Sequence, residues 1–257
     1  EGVRRAVRSV RNRESHSERK AAVQEITRNP KLNNLIDDKL GYALLPVGTL
    51  PAVGPAIELA KQLHAQRHSK EWPEEKGQLV VLSQPDTYEA APAFFDLALS
   101  DEVIQIATDY LGEVPILMRI KLWWTPVNTK MGGSQFFHRD GLDWYRRQAK
   151  FLVVMNDVGP DCGPFTFLPA DVSKQIGASL GRAADQERVP DEHIFKIAKE
   201  SEQISLMGPA GTGGVVDSSR CFHFGARARG GERLMMVFNF MPSIEVPKPR
   251  PIYRTEA

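Results

Sequence analysis

From about Gln78 onward the chain is written in short apolar runs separated by turn residues, and this pattern constrains the fold more than any other feature. Leu79-Val80-Val81-Leu82 has strand length, Ile116 to Trp124 is a longer strand, and Lys150 to Val158 is an apolar run of the same kind. Gly163-Pro164 then turns the chain into Phe165-Thr166-Phe167-Leu168, and Glu232 to Phe240 closes the series. Ala93 to Leu111 interrupts it with one or two helices. About eight alternating, turn-punctuated strands fit a mainly β fold with flanking helices: a double-stranded β-helix, or jelly roll, of the cupin kind.

Within that framework the fragment Phe136-Phe137-His138-Arg139-Asp140 places a His and an Asp two residues apart, and in an extended chain such residues point to the same side. A third ligand is available as His223 in Cys221-Phe222-His223-Phe224-Gly225, and Arg233 follows in the last strand. Two neutral imidazoles and a carboxylate on one face of a ferrous ion offset part of its charge and leave adjacent positions open. Arg233 suits a carboxylate co-substrate, because a planar fork pairs two oxygens at once and keeps its proton in a buried pocket. H-x-D alone is a common pair, often only a hydrogen-bonded one, and the other reading of Arg233 is a surface Arg on an edge strand.

The segments S-Q-F-F-H-R-D, K-F-L-V-V-M-N-D-V, C-G-P-F-T-F-L-P-A and C-F-H-F-G together resemble the phytanoyl-CoA dioxygenase-like family of Fe(II)/2-oxoglutarate oxygenases, over about residues 85–242. The resemblance implies iron(II) held by His138, Asp140 and His223, with Arg233 on the far carboxylate of 2-oxoglutarate. It implies oxidation of a C–H bond of a small organic substrate by dioxygen, coupled to decarboxylation of 2-oxoglutarate. Related halogenases lack the carboxylate, so Asp140 argues against halogenation. Where the family continues with G-S-H, this chain has Ala170-Asp171-Val172. Two other readings stand beside this one: a cupin-like metal enzyme that does not use 2-oxoglutarate, and a non-catalytic jelly-roll binding module. Arg233 speaks against the first, and an intact triad against the second.

Further site residues follow from position. Leu117, Arg119, Lys121 and Trp123 share one strand face, and cations turned inward there would let Lys121 or Arg119 assist Arg233; a solvent-facing edge is the alternative. Trp123, Trp124, Phe136, Trp144, Tyr145, Arg146, Arg147, Arg227 and Arg229 are candidate substrate contacts, since aromatic groups beside cations suit a ligand with an apolar body and an anionic group.

Residues 1–77 are expected to form an N-terminal helical extension packed on the core, and residues 78–257 the jelly-roll catalytic domain with an insertion at 171–209. The extension opens with a basic helix diluted by Glu14, Glu18 and Glu25. With a formal net charge of only +1, a solvated helix face fits better than a nucleic-acid or membrane contact. Residues 41–56, rich in Gly and Pro, read as an ordered loop, and His64 and His68 as exposed helix residues. The charged 171–209 stretch reads as helices over the mouth of the roll. Gly208 to Gly214 precedes a strand rather than a helix, so it reads as a turn and not a phosphate loop. No apolar run approaches the roughly 18 residues that span a bilayer, and no signal segment opens the sequence, so a cytoplasmic enzyme is expected. Cys162 and Cys221 are too few for a disulfide framework.

Overall fold

The computed structural model describes residues 11–67, 79–128, 131–140, 147–181 and 188–245. Two antiparallel sheets face each other. The larger holds β1 (Tyr42–Leu45), β7 (Gly213–Val216), β4 (Ala149–Val154), β9 (Arg233–Met241), β3 (Ile116–Thr125) and β2 (Val80–Ser83), side by side in that order. The smaller holds β6 (Ile204–Leu206), β5 (Phe165–Phe167) and β8 (His223–Phe224). The crossing of non-consecutive strands within each sheet is the jelly-roll topology that the strand spacing predicts.

Strand alternation gives the large sheet two different faces. Phe151, Val153, Leu122, Leu234, Met236, Phe238 and Phe240 point outward and are buried under helices α2 (Val53–Ala65), α3 (Pro92–Ala98) and α4 (Asp101–Leu111), which follow an N-terminal helix α1 (Arg13–Ala21). Helix α4 shows why these segments are helical. Asp101 and Glu102 complement the dipole of its first turn, Val103, Ile106, Ala107 and Tyr110 form one buried stripe, and Gly112 ends it at φ 76°. The inward face packs Leu152, Val154, Met235 and Val237 against Phe165, Phe167 and Leu206 of the small sheet. With cover on both faces, all six residues of β4 are buried, which accounts for the apolar run Phe151–Val154 that follows Lys150.

The outer side of the small sheet is covered by the first part of the 171–209 insertion, whose later residues Ile204–Leu206 are themselves the strand β6 of that sheet. Helix α5 (Ala170–Leu180) and the single turn α6 (Asp191–Ile194) bring Ile176, Ile194 and Ala198 against Phe137, Phe222 and Phe224. The helical part of the insertion is thus packed along the roll's flank, and the insertion's described residues do not line the pocket that contains His138, Asp140 and His223.

Two expectations are corrected. Residues 41–56 are not all loop: Tyr42–Leu45 pair with Gly213–Val216 and form an edge of the large sheet, and Val53 begins α2. The N-terminal segment is therefore not purely helical, because the Gly-flanked Tyr-Ala-Leu-Leu run supplies an inward and an outward row to the sheet. His64 is not exposed either. Its side chain is 15% exposed and packs edge-on against Trp124 with ring centroids 5.5 Å apart; His68 lies outside the described residues. Among the described residues no helix is long and apolar enough to cross a membrane. Cys162 and Cys221 are free thiols.

Candidate metal centre

His138 enters the site from the extended segment after Gln135, and His223 from the two-residue strand β8. Their backbones exchange both hydrogen bonds, His138 N to His223 O at 3.0 Å and His223 N to His138 O at 2.9 Å. This bridge sets the rings 4.3 Å apart between centroids. Two residues on, the Asp140 amide donates to Ser218 O at 2.8 Å, which fixes the carboxylate beside them. The preceding Phe137 and the intervening Arg139 turn the other way, Phe137 into the apolar cluster under the insertion and Arg139 over the Phe222 ring. One potential ligand atom from each of His138, Asp140 and His223 lies within 4.8 Å of the others.

The hydrogen bonds decide which atoms face the centre. His138 Nδ1 lies 2.9 Å from Phe136 O, and His223 Nδ1 lies 3.0 Å from Cys221 O. A carbonyl only accepts, so each Nδ1 carries the proton and each Nε2 keeps its lone pair for a metal. Both rings are held neutral. Burial first, and then the neighbouring His223, lower the His138 pKa to about 2. Burial and then Lys150 lower that of His223 to about 3. On Asp140, Oδ2 accepts from Ser218 Oγ at 2.7 Å and from Lys150 Nζ, while Oδ1 lies 3.7 Å from His223 Nε2. One carboxylate oxygen is thereby occupied by protein donors and the other faces the imidazoles.

Arg233 stands at the start of β9, 2% exposed, with Nη2 donating to Thr125 Oγ1 at 3.0 Å. Its Nε and Nη1 are buried and have no hydrogen-bond partner among the described residues. Burial lowers its pKa to about 10, so it remains a cation at neutral pH. A Cβ on Gly225 would lie 3.4 Å from Nη1, so the glycine leaves the guanidinium its room. Gly163, at φ 67°, lets the C-G-P-F turn approach the backbone of residues 227–228 where a Cβ would come within 2.7 Å. Ala226, between these two contacts, adopts φ 65°, and its carbonyl accepts from Asn128 Nδ2 and Gln135 Nε2 at 3.0 and 2.7 Å. The triad, Arg233, Lys150, Trp123, Phe165 and Met235 line one pocket.

The other candidates are dispersed. Lys121 is not beside Arg233: in register it pairs with Val237, four positions along β9, or roughly 13 Å at 3.3 Å per residue. Trp123 lines the pocket, whereas Trp124 alternates outward and donates to Glu232 at 2.8 Å. Arg227 is committed to structure, gripping Asp191 of α6 with both Nη atoms at 2.7 Å and stacking on Phe224. Arg229 is exposed on a turn, and Arg147 lies over Tyr110 and pairs with Asp38. Neither Arg lines the pocket. Trp144, Tyr145 and Arg146 lie outside the described residues. Sequence reasoning missed Lys150 and Ser218; the available signal was a Lys at an inward position of an otherwise apolar strand.

No protein-family model matches the chain, and no curated protein does. Solved structures do. The non-heme alpha ketoglutarate dependent epimerase SnoN from nogalamycin biosynthesis is 17% identical over 86% of this chain and 83% of its own, with a TM-score of 0.56. EctD from S. alaskensis with bound Fe is 18% identical over 88% and 82%, with a TM-score of 0.60. HygX from Streptomyces hygroscopicus with nickel and 2-oxoglutarate bound is 17% identical over 80% and 84%, with a TM-score of 0.55. At these identities the likeness is one of fold.

Proposed function

We propose that the chain is an iron(II)- and 2-oxoglutarate-dependent oxygenase of the phytanoyl-CoA dioxygenase-like kind, which uses dioxygen to oxidise a C–H bond of a small organic substrate. One observation carries this reading: the pocket that gathers the His138, Asp140 and His223 ligand atoms also contains a buried guanidinium, that of Arg233, with two unpartnered nitrogens. Leaving a buried charged donor unpaired costs on the order of 1–3 kcal/mol or more. Such a position fits the place of a ligand's acceptor, and the planar fork fits a carboxylate. The fold shared with SnoN, EctD and HygX supports the same reading.

In this reading His138, Asp140 and His223 hold iron(II), and Arg233 holds the far carboxylate of 2-oxoglutarate. Iron(II) with that 2-oxo acid supplies the activation of dioxygen that an inert C–H bond requires. The chain's own residues do the positioning. Phe136 O and Cys221 O fix the imidazole tautomers, Ser218 and Lys150 hold one Asp140 oxygen so that the other is presented, and Trp123, Phe165 and Met235 keep water away. A cupin-like metal enzyme without 2-oxoglutarate leaves the orphaned Arg233 donors unexplained.

The test is release of succinate from 2-oxoglutarate by purified protein in air, with and without added Fe(II), across a compound library. Iron-dependent succinate release, stimulated by some compounds, is expected. Absence of succinate with iron present, together with no uptake of 2-oxoglutarate by the anaerobic iron-loaded protein, would overturn the reading.

A further inference from the structure

We infer that the substrate of this oxygenase is an anion whose carboxylate or phosphate is received by Arg119 and Lys150, on either side of Asn239 on the inner face of the large sheet. This rests on the oxygenase reading above and deepens it. Arg119, Asn239 and Lys150 stand in one register row across β3, β9 and β4, and Lys121 stands in the next row, across from Val237. With strands about 4.8 Å apart, the outer two Cα atoms of the row are roughly 10 Å from each other, within reach of one oxyanion for two long side chains. They point inward because Ile120, Leu122 and Phe151, which alternate with them, belong to the core beneath the helices. Arg119 is exposed and Lys150 buried, so the row leads from solvent to the Asp140 carboxylate.

Charge gives the row its meaning. Asp140 is the only carboxylate among the described residues lining the pocket, and Lys150 now uses it as a counter-ion. A divalent ion claims the same carboxylate. Together with a dianionic co-substrate these groups sum to a single negative charge, which Arg233 offsets. Lys150, which still shares its ammonium with one Asp140 oxygen, and Arg119 then add two positive charges to the inner face of the sheet that this tally does not offset. Like charges in a desolvated pocket are costly until an anion joins them. The co-substrate anchor is not that anion's place, since Arg233 lies at the other end of β9's inner face, six positions from Asn239.

The full chain, loaded with Mn(II) and saturating 2-oxoglutarate without oxygen, is titrated calorimetrically with 4-phenylbutyrate, phenyl phosphate and 4-phenylbutylamine. Both oxyanions are expected to bind at least about tenfold more tightly than the amine, as one charge-assisted hydrogen bond requires, and the tighter of the two identifies the group. Arg119→Ala, at an exposed position, should weaken the oxyanions by about tenfold and leave 2-oxoglutarate affinity unchanged, while Arg119→Lys restores part of the loss. Equal binding of amine and oxyanions, or unchanged oxyanion binding in Arg119→Ala, overturns the subsite while 2-oxoglutarate still loads. Failure of the wild-type protein to take up 2-oxoglutarate overturns the oxygenase reading, and this inference with it.

Discussion

The two faces of the large sheet are made by alternate residues of the same strands, yet they differ in almost every property. The outer face, with Phe151, Leu122, Met236, Phe238 and Phe240, is apolar throughout and sealed by helices. The inner face carries Arg119, Lys121, Lys150, Asn239 and Arg233 among its apolar residues, and two of Arg233's nitrogens have no partner among the described residues. Burying charge costs stability unless it is paired. A sheet that keeps one face fully apolar can therefore tolerate an unsatisfied, reactive one, and the period of two keeps the two demands in separate residues.

The comparison is broken most severely at the centre itself. His223→Ala removes one of the three ligands proposed for iron, and the variant is expected to lose both tight ferrous binding and succinate release while remaining folded, since the ring leaves a polar site rather than the core. Anaerobic Fe(II) titration alongside circular dichroism checks this; full iron affinity in the variant would sink the assignment of the site.

The converse change belongs to the outer face. Phe238 is fully buried and stacks on Phe151 with centroids 5.1 Å apart. Phe238→Ala should cost about 3–5 kcal/mol by urea unfolding and leave metal affinity in the surviving folded fraction nearly intact. If iron affinity falls together with stability, the two faces are not independent.

A smaller effect is expected at Arg233. Arg233→Lys keeps the charge and loses the fork, so the 2-oxoglutarate requirement should rise about ten- to a hundredfold, the equivalent of one charge-assisted hydrogen bond of about 1.5–3 kcal/mol. Ferrous binding should be preserved. An unchanged requirement would move the carboxylate anchor elsewhere on the inner face.

A test that changes no residue is pH. His138 and His223 stay neutral in the folded protein down to pH values of about 2 and 3, whereas unfolded imidazoles take up protons below about 6.5. Between those limits the unfolded state binds more protons. The metal-free protein should therefore be fully stable above about pH 6.5 and lose stability as pH falls, by up to about 1.4 kcal/mol per pH unit for each imidazole. Urea midpoints at pH 7 and pH 5 measure it, and a flat profile would mean that the rings are solvated in the native state.

Much of this was legible in the residues. Strand alternation announced β3, β4, β5 and β9, the H-x-D spacing put His138 and Asp140 on one side, and the turn in Cys-Gly-Pro-Phe marked the entry to β5. Short strands were harder to read: Tyr42–Leu45 is only four residues long and sits among Gly and Pro, and only pairing with β7 makes it a strand. The candidate arginines show the same limit from the other side. Arg227 and Arg233 look equally fit to hold an anion, but one is consumed by Asp191 and Gln135 O and the other is left with donors to spare.

By itself, then, the sequence determined what is local: which residues alternate, where chains turn, and which side-chain types can bind a metal or a carboxylate. The tertiary structure alone decided which of them meet. His138 and His223 become neighbours only because two distant segments exchange backbone hydrogen bonds, and Lys121 is parted from Arg233 only by the register of β3 on β9. Lys150 joins the site because β4 lies between β7 and β9. The physical reason is that periodicity acts over a few residues, whereas register and burial depend on which segments pack together, and these set the charge, tautomer and partner of each functional group.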